Sequence, residues 1–134
     1  MMWRFFLLIP VIFLCACSSK KSTPELADEF TFELQRLPSV LSEVKDKESA
    51  DVAVAEIYQM RDAIGRIVQQ VESEKYLTRE QRIIIERKVR ATQDETAFLL
   101  QKLSNQPEVL ITLSEPLAEL GNVIEAASKV MKGK

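Results

Sequence analysis

Apolar side chains recur every three or four residues in four consecutive stretches, and this periodicity limits the fold more than any other feature. Such spacing places the repeated side chains on one face of an α-helix. The four stripes comprise Leu26, Phe30, Leu34, Leu37, Leu41 and Val44; Ala53, Ile57, Met60, Ile64, Ile67 and Val71; Ile85, Val89, Thr92, Thr96, Leu99 and Leu103; and Leu110, Leu113, Leu117, Leu120, Ile124, Ala127 and Met131. Each stretch is therefore predicted to form an amphipathic helix. The presence of only three glycines in 134 residues agrees with this, because glycine disfavours helix.

Turn and capping signals separate the four stretches. Residues that commonly cap helices precede the first three, namely Thr23 with Pro24 after it, Asp46 or Ser49, and Thr78 with Gln81 three residues on. The run 105–107 (Asn-Gln-Pro) ends the third stretch and opens the fourth.

The predicted fold is all-α, an antiparallel four-helix bundle. The two outer helices are expected to kink or break at Pro38 and Pro116, with Ser114 placed to cap a restart. One alternative is a long helical hairpin, residues 50–105, with the outer helices packed loosely or on a partner. An extended coiled-coil oligomer is another.

Three positions inside the stripes carry specific expectations. Gly65 is expected to mark the close approach of a neighbouring helix. The hydroxyls of Thr92 and Thr96 are expected to bond back to carbonyl groups one turn earlier. The alternative is that these two threonines form a polar niche for a ligand.

Two surface features are candidates for binding. The first is a basic run in the third stretch, which could contact anionic lipid headgroups or an acidic partner. Interleaved Glu80 and Glu86 favour a solvated helix face instead. The second is a pair of outer-face aromatic residues. The basic run consists of Arg79, Arg82, Arg87, Lys88 and Arg90, and the aromatic pair consists of Phe32 and Tyr58.

The amino terminus combines Arg4 with an apolar run, residues 5–14, that is shorter than the roughly 20 apolar residues of a membrane-spanning helix. It ends Leu14-Cys15-Ala16-Cys17, which resembles the lipobox of bacterial lipoproteins. The resemblance implies that residues 1–16 are a signal peptide, that Leu14 and Ala16 are recognised by the signal peptidase, and that the thiol of Cys17 carries a diacylglyceryl group. Cys15 is a poorer lipidation site because bulky Leu14 precedes it.

This resemblance also implies a location and a domain plan. Lipid on Cys17 would tie residues 17–22, a polar tether, to a membrane, with the helical domain spanning residues 23–134. Ser18, rather than aspartate, follows the cysteine. By the sorting rule of enteric lipoproteins, this favours the periplasmic face of the outer membrane.

The residue types exclude several chemistries. The chain has no histidine, and its two cysteines are removed or alkylated if the lipobox is used. Neither a catalytic residue nor a metal or cofactor site is expected, so the protein is not predicted to be an enzyme. Loss of Arg4 leaves 17 basic against 20 acidic residues, a net charge of −3 that argues against binding nucleic acid.

The segment from Ser39 into the second stretch, and especially DKESA at residues 46–50, resembles small uncharacterised helical proteins of planctomycete-type bacteria. That resemblance implies a helical fold and no particular activity.

The expected function is a lipid-anchored, periplasm-facing helical protein that acts by binding a protein, in an adaptor, assembly or envelope-structural role. Its expected partners are the membrane, through Cys17, and an unidentified protein; it is also a candidate homo-oligomer. The alternative is a carrier or sensor of an apolar small ligand within the bundle. A hydrophobic cavity of several hundred Å³ would favour the carrier, whereas a filled core with an exposed apolar groove would favour the adaptor.

Overall fold

The computed structural model describes residues 22–71 and 77–132, and these ranges hold four helices. They are α1 (Thr23–Ser42), α2 (Lys47–Gln70), α3 (Arg79–Lys102) and α4 (Pro107–Lys132). Within the same ranges there is no strand, so the predicted all-α fold is confirmed. Leu14, Ala16 and Cys17 lie outside the described residues.

Ser22, one residue earlier than predicted, caps α1. Its hydroxyl accepts a hydrogen bond from the backbone N–H of Glu25 at 3.4 Å, and the Glu25 carboxylate accepts one from the N–H of Ser22 at 3.3 Å. A cap at Thr23 would place Leu26 at the third helical position. Leu26 could not return the second bond, and this explains the shift.

The predicted caps of α2 and α3 are confirmed. The carboxylate of Asp46 accepts from the N–H of Ser49 at 2.9 Å, and the Ser49 hydroxyl accepts from the N–H of Asp46 at 3.0 Å. Thr78 and Gln81 form the same reciprocal pair at the start of α3. Both helices therefore begin where local side-chain chemistry predicts.

Neither proline breaks its helix. α1 is continuous through Pro38, and α4 is continuous through Pro116. The expected break is therefore absent at both positions, although each proline lacks the N–H that would bond to the carbonyl four residues earlier. The hydroxyl of Ser114 donates to the carbonyl of Ile111 at 2.8 Å inside this continuous helix, so the predicted capping role of Ser114 is wrong.

The four helices surround the core in the order α1, α2, α4, α3. α2 packs most extensively against α4, and α1 packs against both α3 and α2. α3 touches α4 over a much smaller area, while α2 and α3 lie across the bundle diagonal without contact. The alternative of a central hairpin, residues 50–105, is therefore wrong, because the buried stripe of α2 packs on α4 instead.

Chain length fixes the helix directions. Nine Cα–Cα steps join Gln70 to Arg79 and span at most about 32 Å, whereas the 24-residue α2 is about 36 Å long. The end of α2 and the start of α3 must then lie at the same end of the bundle. Short connections join the other two pairs, so successive helices are antiparallel, as predicted. The neighbours α1 and α3 are consequently parallel to each other, and so are α2 and α4.

The predicted stripes of α1, α2 and α4 supply most of the core, whereas α3 supplies little. Phe30, Ile57, Met60 and Leu113 have no accessible surface. Within α3 only Ile85 and Thr92 are buried. This unequal packing of α3 determines where the molecule has room for a ligand.

Gly65 does not mark a close helix contact, because a Cβ atom built there meets nothing within 4 Å. The expectation at this position is therefore wrong. In the part of the chain that the structure describes, none of the helices combines the length and apolarity needed to cross a membrane.

Candidate functional site

A cleft of about 400 Å³ opens between α3 and α4, with α1 as its floor. We call it the α3–α4 cleft. Most of its walls are aliphatic, and its lining residues are Leu34, Leu37, Val89, Thr92, Gln93, Thr96, Leu100, Leu117, Leu120, Gly121, Ile124, Glu125 and Ser128.

Short side chains on the two facing helices create this cleft. α3 presents Thr92 and Thr96, and α4 presents Gly121 and Ser128. A Cβ atom added at Gly121 would meet nothing within 4 Å, so the neighbouring side chains do not close over the glycine. These short side chains therefore leave the space between α3 and α4 unfilled.

Thr96 lines the cleft, but its hydroxyl oxygen cannot be reached from it. Its hydroxyl oxygen is buried and has no hydrogen-bond partner among the described residues. Elsewhere the hydroxyls of Thr31 and Thr112 donate to backbone carbonyls at 2.9 and 2.8 Å. The back-bond expected for Thr96 is therefore absent. A buried group left unsatisfied costs about 1–3 kcal/mol, so this hydroxyl lowers the stability of the bundle.

The mouth of the cleft is polar. Gln93 and Glu125 are exposed at its edge, and the buried Ser128 lies further in. This arrangement suits an apolar molecule that carries one hydrogen-bonding group. Across residues 22–71 and 77–132, no cluster of three or more acidic, cysteine or histidine side chains is placed to hold a metal ion.

A second, more polar depression of about 340 Å³ lies between α1 and α3, and we call it the α1–α3 groove. Gln35, Pro38, Ser39 and Ser42 line its α1 side, and Lys88, Ala91, Thr92, Glu95 and Leu99 line its α3 side. Ile84 and Phe98, which with Ala91 flank the predicted buried stripe of α3, are 50% and 57% exposed. α3 thus has apolar side chains that this chain covers only in part, with the Lys102 ammonium 4.6 Å from the centre of the Phe98 ring.

The basic run of α3 does not act as one surface. The guanidinium of Arg82 donates to the backbone carbonyl of Lys132 at 3.3 Å, and the Lys132 ammonium pairs with Glu86 at 3.1 Å. These contacts fix the end of α4 against the start of α3. Arg87 and Arg90 are exposed.

The two outer aromatics differ. Phe32 is 62% exposed, as predicted. Tyr58 is half-buried, with the Arg61 guanidinium 4.5 Å above its ring. Arg61 also pairs with Glu119 of α4 at 2.8 Å. Burial, together with the nearby Glu119 carboxylate, raises the pKa of Tyr58 above 10.0. This group therefore links α2 to α4 and is not an open contact point.

Sequence reasoning did not single out Gly121 or Ser128. Their spacing was nevertheless visible, because Ser114, Gly121 and Ser128 follow one another at intervals of seven residues on α4. No protein-family model, curated protein or solved structure matches the chain. The resemblance of residues 14–17 to a lipobox and that of residues 46–50 to small helical proteins therefore stay predictions.

Proposed function

We propose that the protein is a lipid-anchored carrier or sensor that holds an apolar small ligand in the α3–α4 cleft. Acyl chains on Cys17 would keep the bundle at the periplasmic face of the outer membrane. The observation that supports the proposal best is the cleft itself, whose volume of about 400 Å³ lies within the usual range of ligand pockets.

The lining chemistry defines the ligand class. Leucine, isoleucine and valine side chains form most of the wall, so the ligand is largely apolar. The exposed Gln93 and Glu125 side chains at the mouth can pair with one polar group of that ligand. No residue is assigned a catalytic role.

A protein-binding role, in an adaptor, assembly or envelope-structural setting, is the second candidate. It is supported by the exposed Ile84 and Phe98 on α3 rather than by the cleft. The two candidates use different surfaces, so variants can separate them.

The experiment titrates the mature chain, residues 17–134 with Cys17→Ser, against prodan, a neutral naphthyl ketone dye. We expect saturable binding with a blue shift in emission. Gly121→Phe fills the cleft and should abolish this binding, whereas Gly65→Phe, at an uncrowded helix glycine remote from the cleft, should leave it unchanged. Thr96→Val should stabilise the protein by about 1 kcal/mol and leave binding nearly unchanged, because the Thr96 oxygen is unpaired and cannot be reached from the cleft.

Equal binding by wild type and Gly121→Phe would contradict the carrier proposal. So would the absence of saturable binding in the wild type. The anchor is tested separately by mass spectrometry of the full-length product from cells. The expected mass is that of residues 17–134 plus acyl groups, and an unmodified cysteine would contradict it.

A further inference from the structure

On the exposed face of α3, large apolar side chains lie at equal distances on either side of Ala91. Ile84 lies seven residues before Ala91 and Phe98 lies seven residues after it, about 10 Å away in each direction along the helix. Ile84 is 50% exposed and Phe98 is 57% exposed, and Ala91 is exposed between them. A small residue at the centre with a large apolar residue on each side allows another helix to approach closely there.

The charges around Ala91 are also arranged symmetrically, but with opposite sign. Arg87 and Lys88 precede it, and Asp94 and Glu95 follow it at matching distances. Lys88 and Glu95 line the α1–α3 groove, and Arg87 and Asp94 lie on the other side of the apolar residues. A helix with this pattern is complementary to an antiparallel copy of itself.

We propose that the α1–α3 groove and the exposed face of α3 bind a second copy of this chain, with the two α3 helices antiparallel and crossing at Ala91. Ile84 of each copy packs on Phe98 of the other. Lys88 of each copy faces Glu95 of the other, and Arg87 faces Asp94. A parallel pairing would instead place Lys88 of each copy beside Arg87 of the other, which disfavours it.

One helix and a shallow groove make a small interface, so the association is weak for the chain free in solution. Two chains anchored in one membrane would meet at a much higher effective concentration. The proposal does not depend on a ligand in the α3–α4 cleft, which lies on the α4 side of α3.

The test uses charge reversal on the mature chain with Cys17→Ser, followed by sedimentation velocity over a range of concentrations. The wild type should show a reversible monomer–dimer equilibrium. Lys88→Glu or Glu95→Lys alone places like charges at two symmetric positions and should weaken the dimer by at least about tenfold. Arg66→Glu, an equivalent reversal at an exposed site on α2, should have no such effect.

Mixing gives the decisive result. Neither single variant can pair with itself, but Lys88→Glu and Glu95→Lys chains are complementary and should form a heterodimer when combined. A folding defect could not be repaired in this way. The proposal is wrong if the mixture stays monomeric while the wild type dimerises, or if the wild type is monomeric at about 1 mM, equivalent to a binding free energy near −4 kcal/mol.

Discussion

Asp46 shows how a single residue both starts a helix and titrates. Hydrogen bonds from the backbone N–H and then the hydroxyl of Ser49 hold the pKa of its carboxyl below 3.8. A pKa lowered in the folded state stabilises the protein above the unfolded-state pKa, and the contribution disappears as the pH falls through the lowered value.

We therefore expect Asp46→Asn to reduce the free energy of unfolding at neutral pH and to have less effect as the solution is acidified well below pH 3.8. Asparagine keeps the hydrogen-bond acceptor but loses the charge near the helix N-terminus. Urea denaturation at neutral pH and at the acidic pH measures the difference in free energy of unfolding between the variant and the wild type. Asp28→Asn, at an exposed aspartate within α1, is the control. A pH-independent loss would show that the charge is not responsible.

The sequence predicted the role of an individual residue best where its interaction partner is close along the chain. The caps at Asp46 and Thr78 depend on side chains three residues apart, and the sequence predicted both. The capping box at Ser22 was missed by one position. The error at Gly65 has a different origin, because it depends on the distance to another helix, which a single stripe does not encode. The missing back-bond of Thr96 is an exception, because that bond would lie within α3 itself.

Among the four helices described, α3 contributes the fewest buried residues to the core. It has two buried residues, whereas α1, α2 and α4 each have six or more. Its stripe was predicted from periodicity, but Ile84 and Phe98 on its flank proved exposed. Periodicity identifies the inner side of a helix. It does not show how closely a neighbouring helix packs on that side.

Amide hydrogen exchange should show this difference directly. We expect the central amides of α3 to exchange faster than those of α2, because fewer buried apolar contacts oppose local opening. Mass spectrometry of labelled peptides from the two helices, which have equal length, gives the comparison. Equal protection would mean that α3 opens only with the whole bundle.

For the whole molecule, the number, order and direction of the helices followed from stripe spacing and connection length, whereas the pairing did not. Nothing in the stripes of α2 and α4 marks them as partners. The α3–α4 cleft depends on that pairing, so the sequence could suggest a ligand niche at Thr92 and Thr96 but not its walls.

Helix direction also constrains a membrane-bound dimer. α1 and α3 are parallel, so antiparallel α3 helices would place the two Ser22 residues at opposite ends of the pair. The proposed tether, residues 17–22, has five Cα–Cα steps and would span at most roughly 18 Å, about half the length of α3. Both anchors can reach one membrane only when the bundles lie along its surface.

The diagonal placement of α2 and α3 has a consequence for how the chain could be divided. The most extensive interfaces join the first hairpin, α1–α2, to the second, α3–α4, and only the connection after Val71 links the hairpins covalently. A chain cut in that connection should yield two fragments that are poorly helical alone and that recover cooperative unfolding by circular dichroism when mixed. Fragments that fold separately would contradict this. The same division would allow two intact molecules to exchange hairpins, each completing the core of the other.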